Sequence, residues 1–152
     1  MSGTRPDRKD TVDEERASFY VRTENGFEVA APIDPSYKWG GGGMLSTVLD
    51  LVAFGQAHLE PGFLIDATLE RVLTSQHTTE GDETGVGVGW RLARDAWGRR
   101  VAHQAGSMDG ARSVVVVYPD EEVVVALMTN VALHPLAAEA TAQMLADPFL
   151  RG

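Results

Sequence analysis

The sequence predicts an α+β domain (α/β in some schemes) in which helices flank an antiparallel sheet. Three observations carry that expectation. Two β-branched runs, Val114-Val115-Val116-Val117 and Val123-Val124-Val125, are joined through Pro119-Asp120-Glu121-Glu122, the pattern of a hairpin with a four-residue loop. Apolar residues recur at helical spacing within residues 46–59 and again within 136–145. The chain has 152 residues, 43% hydrophobic and 23% charged, which suits one domain with its own core.

Taken in order, residues 1–16 are polar, contain Pro6 and show no periodicity, and so read as a flexible N-terminal segment ahead of a domain at 17–152. Phe19-Tyr20-Val21 and Phe27-Glu28-Val29 flank Glu24-Asn25-Gly26, and Asn-Gly between β-prone runs is a hairpin signal. Four glycines, 40–43, imply an unusual backbone path or close neighbours. They do not make a phosphate loop, because Lys38 precedes them and no Lys-Ser/Thr follows. Ser46 can cap the next helix, with Asp50 in its first turn and Val48, Leu51, Val52, Gly55 and Leu59 on one face. Pro61-Gly62 stops it, and a shorter helix follows from about Asp66 with Ile65, Leu69, Val72 and Leu73.

Residues 85–92 alternate strictly, placing Val86, Val88, Trp90 and Leu92 on one strand face and glycines on the other. The glycines lie inside the expected strand, so this is not a dinucleotide fingerprint. Asp95-Ala96-Trp97-Gly98 reads as a turn and residues 100–104 as the next strand. Residues 136–145 form the last expected helix, with Pro135 first, Leu136, Ala140, Met144 and Leu145 on its sheet-facing side, and Asp147-Pro148 as its end.

A net charge of −9 argues against nucleic acid or an anionic membrane as a partner, and solubility is the plainer reading of it. With no cysteine there is neither a disulfide frame nor thiolate chemistry. No apolar run spans a membrane and no signal core opens the chain, so the sequence as written reads as cytoplasmic; a longer parent with an export signal would differ. His58 and His77 lack carboxylates or cysteines at ligand spacing and read as surface residues, so neither a metal nor another cofactor is expected.

The chemistry-bearing stretch is His103-Gln104-Ala105-Gly106-Ser107-Met108-Asp109-Gly110-Ala111-Arg112-Ser113, which leads into the first valine run. It resembles the third active-site motif of the β-lactamase-like serine hydrolases, the class C β-lactamases, penicillin-binding proteins and related esterases and peptidases. Members carry Lys-Thr-Gly or His-Thr-Gly on an edge strand ahead of a glycine-rich turn and a hairpin. A second stretch, Phe19-Tyr20-Val21-Arg22 followed by Ser36-Tyr37-Lys38-Trp39-Gly40-Gly41-Gly42-Gly43-Met44-Leu45-Ser46-Thr47, is similar to the same family and most to the branch containing the mitochondrial β-lactamase-like serine peptidase. The likeness covers most of the chain but only the C-terminal part of such a protein, implying a partial β-lactamase/transpeptidase-like fold.

The resemblance implies acylation of a serine through three motifs. Ser-x-x-Lys is missing, since Pro6 and Pro35 stand three residues before the two lysines, Lys9 and Lys38. Tyr-x-Asn is missing too: Arg22, Trp39 and Asp120 follow the three tyrosines. The third motif departs from its pattern. Either His103 replaces the cation, or Gln104 takes its place and carboxylate binding loses a positive charge. The resemblance thus implies catalytic roles for His103, Gly106 and Ser107, with a backbone N–H near Gly106 and Ser107, at the strand's turn, for an oxyanion hole. Gln104 and Arg112 are the implied substrate-binding residues. An ordinary strand histidine is the plain alternative for His103, and a solvated strand-end charge for Arg112. A local Ser107–His103–Asp109 triad is disfavoured by sequence proximity.

The expected chain is therefore inactive alone. Its parent would hydrolyse a β-lactam, ester or peptide, and Met1 would be an internal methionine. Lacking the part that covers its sheet, the chain is expected to form a homo-oligomer or to pair with a missing N-terminal half. A non-catalytic module binding peptide or cell-wall fragments, and a structural domain pairing through its sheet edge, are the other readings.

Overall fold

The valine runs form two neighbouring strands of the main sheet, because branching at Cβ suits a pleated, half-buried surface. The computed structural model describes residues 1–10, 12–132 and 138–150. In chain order it holds β1 (Arg5–Pro6), β2 (Tyr20–Thr23), β3 (Gly26–Val29), a 3₁₀ segment (Ser36–Gly41), β4 (Met44–Leu45), α1 (Val48–Ala57), α2 (Asp66–Val72), β5 (Arg91–Arg94), β6 (Arg100–Met108), β7 (Ala111–Tyr118), β8 (Val123–Thr129), β9 (Val131–Ala132) and α3 (Ala138–Leu150). The main sheet is antiparallel in the order β5-β6-β7-β8. A small sheet, β3-β2-β9, and the β1-β4 pair lie beside it in sequence.

Alternation along β6 and β7 splits the core into two layers. On one face, Val101, Val114, Val116 and Tyr118 pack with Ala142 and Ala146 of α3. On the other, Ala102, Val115 and Val117 pack with Val72 of α2, Trp90, and Phe54 of α1. The expected hairpin closes with Tyr118 opposite Val123, leaving residues 119–122 as its loop. The expected Asn-Gly hairpin also forms, but its register moves by one: Gly26 pairs with Thr23, and the loop is Glu24-Asn25.

Several expectations are corrected. The cap of α1 is Thr47, whose hydroxyl accepts from the Asp50 N–H at 3.1 Å, while the Ser46 hydroxyl bonds Thr4. On α1, Val48 is exposed and Phe54 takes its place in the core; next to α2, Ile65 is exposed as well. Of the alternating 85–92 stretch, only Arg91 and Leu92 lie in a strand, the start of β5. Gly85 and Gly89 take positive φ, which breaks the pleat, and the Gly87 and Val88 N–H groups bond the Trp90 and Val72 carbonyls. A Cβ on Gly87 would collide with the Val72 carbonyl, so that glycine marks a close backbone approach.

The terminal helix runs through Asp147-Pro148 to Leu150, and its packed residues are Ala142 and Ala146. Met144, Leu145 and Ala140 are exposed; Pro135 and Leu136 lie outside the described residues. His58 is buried, not on the surface: its Nδ1 lies 2.9 Å from the Phe54 carbonyl, and its ring meets Phe54, Phe63 and Trp90 edge-on. His77 is exposed, as expected.

The first sixteen residues make defined contacts. Asp50 accepts from the Gly3 N–H at 2.8 Å and the Thr4 hydroxyl at 2.7 Å. Arg5 pairs with Asp13, Arg16 with the buried Asp7, and the Asp7 N–H bonds the Gly43 carbonyl.

Candidate active-site strand

Strand β6 carries the chemistry-bearing stretch. It extends beyond the expected residues 100–104 to Met108, and the turn is Asp109-Gly110. Gly106 and Ser107 therefore lie within the ladder, paired with Ser113 and Arg112, and not at the bend. An Asp-Gly pair is itself a two-residue hairpin signal, and counting outward from it yields this register.

That register sorts the candidate residues by face. His103 pairs with Val116 and Ser107 with Arg112, so these three candidates share the α3 face. Gln104 pairs with Val115 and Gly106 with Ser113, so these look toward the α1/α2 side. His103 is 6% exposed, whereas Gln104 through Ser107 are exposed. Four residues of strand hold His103 and Ser107 about 13 Å apart along the backbone, too far for a hydrogen bond within a local triad. Arg112 folds back, its Nη1 donating to the Met108 and Ala111 carbonyls at 2.6 and 2.7 Å.

Strand β5 begins at Arg91, opposite His103, and pairs from there toward Arg100. From residue 104 to 108, β6 is therefore a sheet edge among the described residues, with one row of backbone N–H and C=O groups facing outward. Gly106 leaves room on the sheet face for its partner across the ladder. A Cβ there would sit 2.7 Å from the Ser113 hydroxyl oxygen. The far end of the hairpin is braced by Gly110, at φ +76°, where a Cβ would lie 2.7 Å from Phe19 Cβ, 2.9 Å from Ala30 Cβ and 2.9 Å from the Tyr20 N. The small sheet thus backs the tip of the site strand.

The opposite end of β6 is anchored by charge. Arg99 bonds Asp95 at 2.7 Å and the Leu150 carbonyl at 3.3 Å, and stacks on Trp97 and Tyr118. Burial pushes the Asp95 carboxyl up, but bonds from Arg99 and Trp97 outweigh it and hold it below its usual value. Burial, with Asp95 beside it, raises the Tyr118 phenol. A cleft of about 280 Å³ lies at this end, lined by Leu73, Glu83, Leu92, Arg94 and residues 100–102. It does not include residues 103–107.

A helix-backed antiparallel sheet, with a helical pair on its other face and a glycine-bearing edge strand, is the architecture of β-lactamase/transpeptidase-like folds, and solved members superpose on it. A D-amino acid amidase from Ochrobactrum anthropi, complexed with D-phenylalanine, matches at TM-score 0.71 and 19% identity, over 97% of this chain and 49% of that one. An octameric penicillin-binding protein homologue from Pyrococcus abyssi matches at TM-score 0.69 and 21% identity, over 96% of this chain and 34% of that one. The mitochondrial serine beta-lactamase-like proteins of Bos taurus and Homo sapiens are 35% identical over 132 residues, covering 70% of this chain and 24% of each relative. The Beta-lactamase family model matches residues 1–147, and the chain belongs to that family. It spans about a quarter of the length of those curated relatives. No helix among the described residues is long and apolar enough to cross a membrane.

Proposed function

We propose that the chain supplies the sheet wall of an acyl-transfer cleft, and that the parent of this wall hydrolyses a β-lactam, ester or peptide through an acyl-serine intermediate. The open edge at residues 104–108 carries this reading. A carbonyl laid along it meets outward N–H groups near Gly106, the donors an oxyanion needs. One solved neighbour bears the name of a D-amino acid amidase, which favours amide bonds among the substrate classes.

The chain alone is inactive in this reading. It contains no Ser-x-x-Lys and no Tyr-x-Asn, so nucleophile, base and proton relay must come from elsewhere in a parent or from a separately encoded half. Of the candidate residues, Ser107, whose backbone N–H the ladder's alternation turns toward the open edge, takes the backbone role and Gln104 the substrate contact. His103, buried on the α3 face, serves packing.

A fluorophosphonate probe tests the reading. It should leave the chain unlabelled by intact mass. Joined to a segment that carries Ser-x-x-Lys, the protein should take up one equivalent, at the serine of that motif. A covalent adduct on the chain alone would overturn the inactivity, and a joined protein that stays unlabelled would overturn the cleft.

A further inference from the structure

Among the described strand residues, the sheet face that Gln104 shares is uncharged at its exposed end. Its neighbours there are Gly106, Met108, Ala111, Ser113 and Met128, placed by the pairings of Gln104 with Val115, Gly106 with Ser113, and Ser113 with Met128. The arginine nearest in sequence, Arg112, lies on the other face with its Nη1 bound to two carbonyls. His103 is on that other face as well, and buried. The hairpin tip carries Asp109, and the whole chain has net charge −9. A ligand carboxylate at Gln104 would give up hydration and meet no cation from the described strand residues of this face.

What this face does offer is an amide. The Gln104 side chain both donates and accepts, and the Ser113 hydroxyl beside Gly106 can do either. Those groups complement a ligand carboxamide, which likewise has an oxygen acceptor and N–H donors. We propose that the Gln104–Gly106–Ser113 face selects ligands presenting an uncharged carboxamide over those presenting a carboxylate. This rests on reading the β6 edge as a substrate cleft, and it adds the ligand's charge state.

The test uses two ligands that differ only at this group, N-acetyl-D-phenylalaninamide and N-acetyl-D-phenylalanine, titrated into the ¹⁵N-labelled chain. The amide should shift the resonances of Gln104, Gly106 and Ser113, binding about tenfold more tightly than the acid. Gln104→Lys, at an exposed position that leaves the core untouched, should reverse the order. Equal binding, tighter binding of the acid by the unaltered chain, or no reversal in Gln104→Lys overturns the selectivity while leaving the cleft in place. If neither ligand moves those resonances, the cleft reading falls and the selectivity with it.

Discussion

At the scale of single residues, Trp90 shows how much rests on one side chain. It is 4% exposed, lies nearly parallel to Phe54 with ring centroids 6.1 Å apart, and meets His58 edge-on at 5.2 Å. Trp90→Ala empties the centre of the layer between the sheet and α1/α2. It should cost about 3–5 kcal/mol, read as a lower urea midpoint, with Trp90→Phe recovering part of the loss. Gly110 is the second such residue. Gly110→Val places a branched side chain at φ +76° against Phe19 and Ala30, and should cost about 1–3 kcal/mol. Its amide shifts should concentrate in residues 104–108, where shifts confined to 109–111 would show that the brace does not reach the site strand. Trp90 and its neighbour His58 differ in how legible they were. Trp90 reads as inward from alternation alone. His58 does not, because its burial depends on Phe54 one helical turn before it and on Phe63 and Trp90 arriving from other segments. Likewise, Gln104 and His103 are neighbours in sequence, and only the ladder register assigns them to opposite faces.

At the scale of elements, the long strands and the two internal helices were readable because their periodicity and their packing agree. The failures have separate local causes. The 85–92 alternation is real, but Gly85 and Gly89 take positive φ, so a strand pattern is spent on turns. The terminal helix passes the proline expected to stop it; Pro148 falls in the last turn, where the one helical bond it removes would go to the carbonyl of exposed Met144. Arg99 ties that helix end to the β5–β6 turn through Asp95 and the Leu150 carbonyl. Arg99→Met should therefore raise hydrogen exchange in residues 146–150 before it affects β7, and uniform acceleration would count against a local tie. Asp50 fastens residues 3–4 to α1. The Thr4 hydroxyl, and then the Gly3 N–H, hold its carboxyl below the usual 3.8 despite burial. A depressed folded value contributes stability that is fully present above the unfolded pKa and is lost as pH falls through the folded one. The chain should thus lose stability below about pH 4, and Asp50→Asn should flatten that part of the profile. An unchanged profile in Asp50→Asn would assign the acid limb to other carboxylates, such as Asp95.

At the scale of the whole molecule, the sheet is covered on its faces but not at its margin. Among the described residues β8 pairs only with β7, though Val124 packs in one layer and Val125 and Leu127 in the other. It spans Val123–Thr129 without a charge, proline or glycine, so it has none of the residues that usually keep an edge strand solitary. Leu49 and Ile65, on the helical side, are 80% and 74% exposed. We propose that another polypeptide segment covers the surface that holds both features, as suits a chain spanning about a quarter of its relatives' length. The covering segment can be a second copy or the remainder of a parent, and the two differ in stoichiometry. Light scattering at micromolar concentration should give the chain a mass above one copy. A lysine at Ala126, buried in the middle of β8, would disrupt the core and confuse the result. Met128→Lys, at an exposed position on the same strand, leaves the core alone and should shift the assembly toward monomer. Joining the chain to a segment that supplies the neighbouring strand should also yield a monomer, now insensitive to Met128→Lys. A compact monomer of the unaltered chain at that concentration would mean that β8 needs no partner.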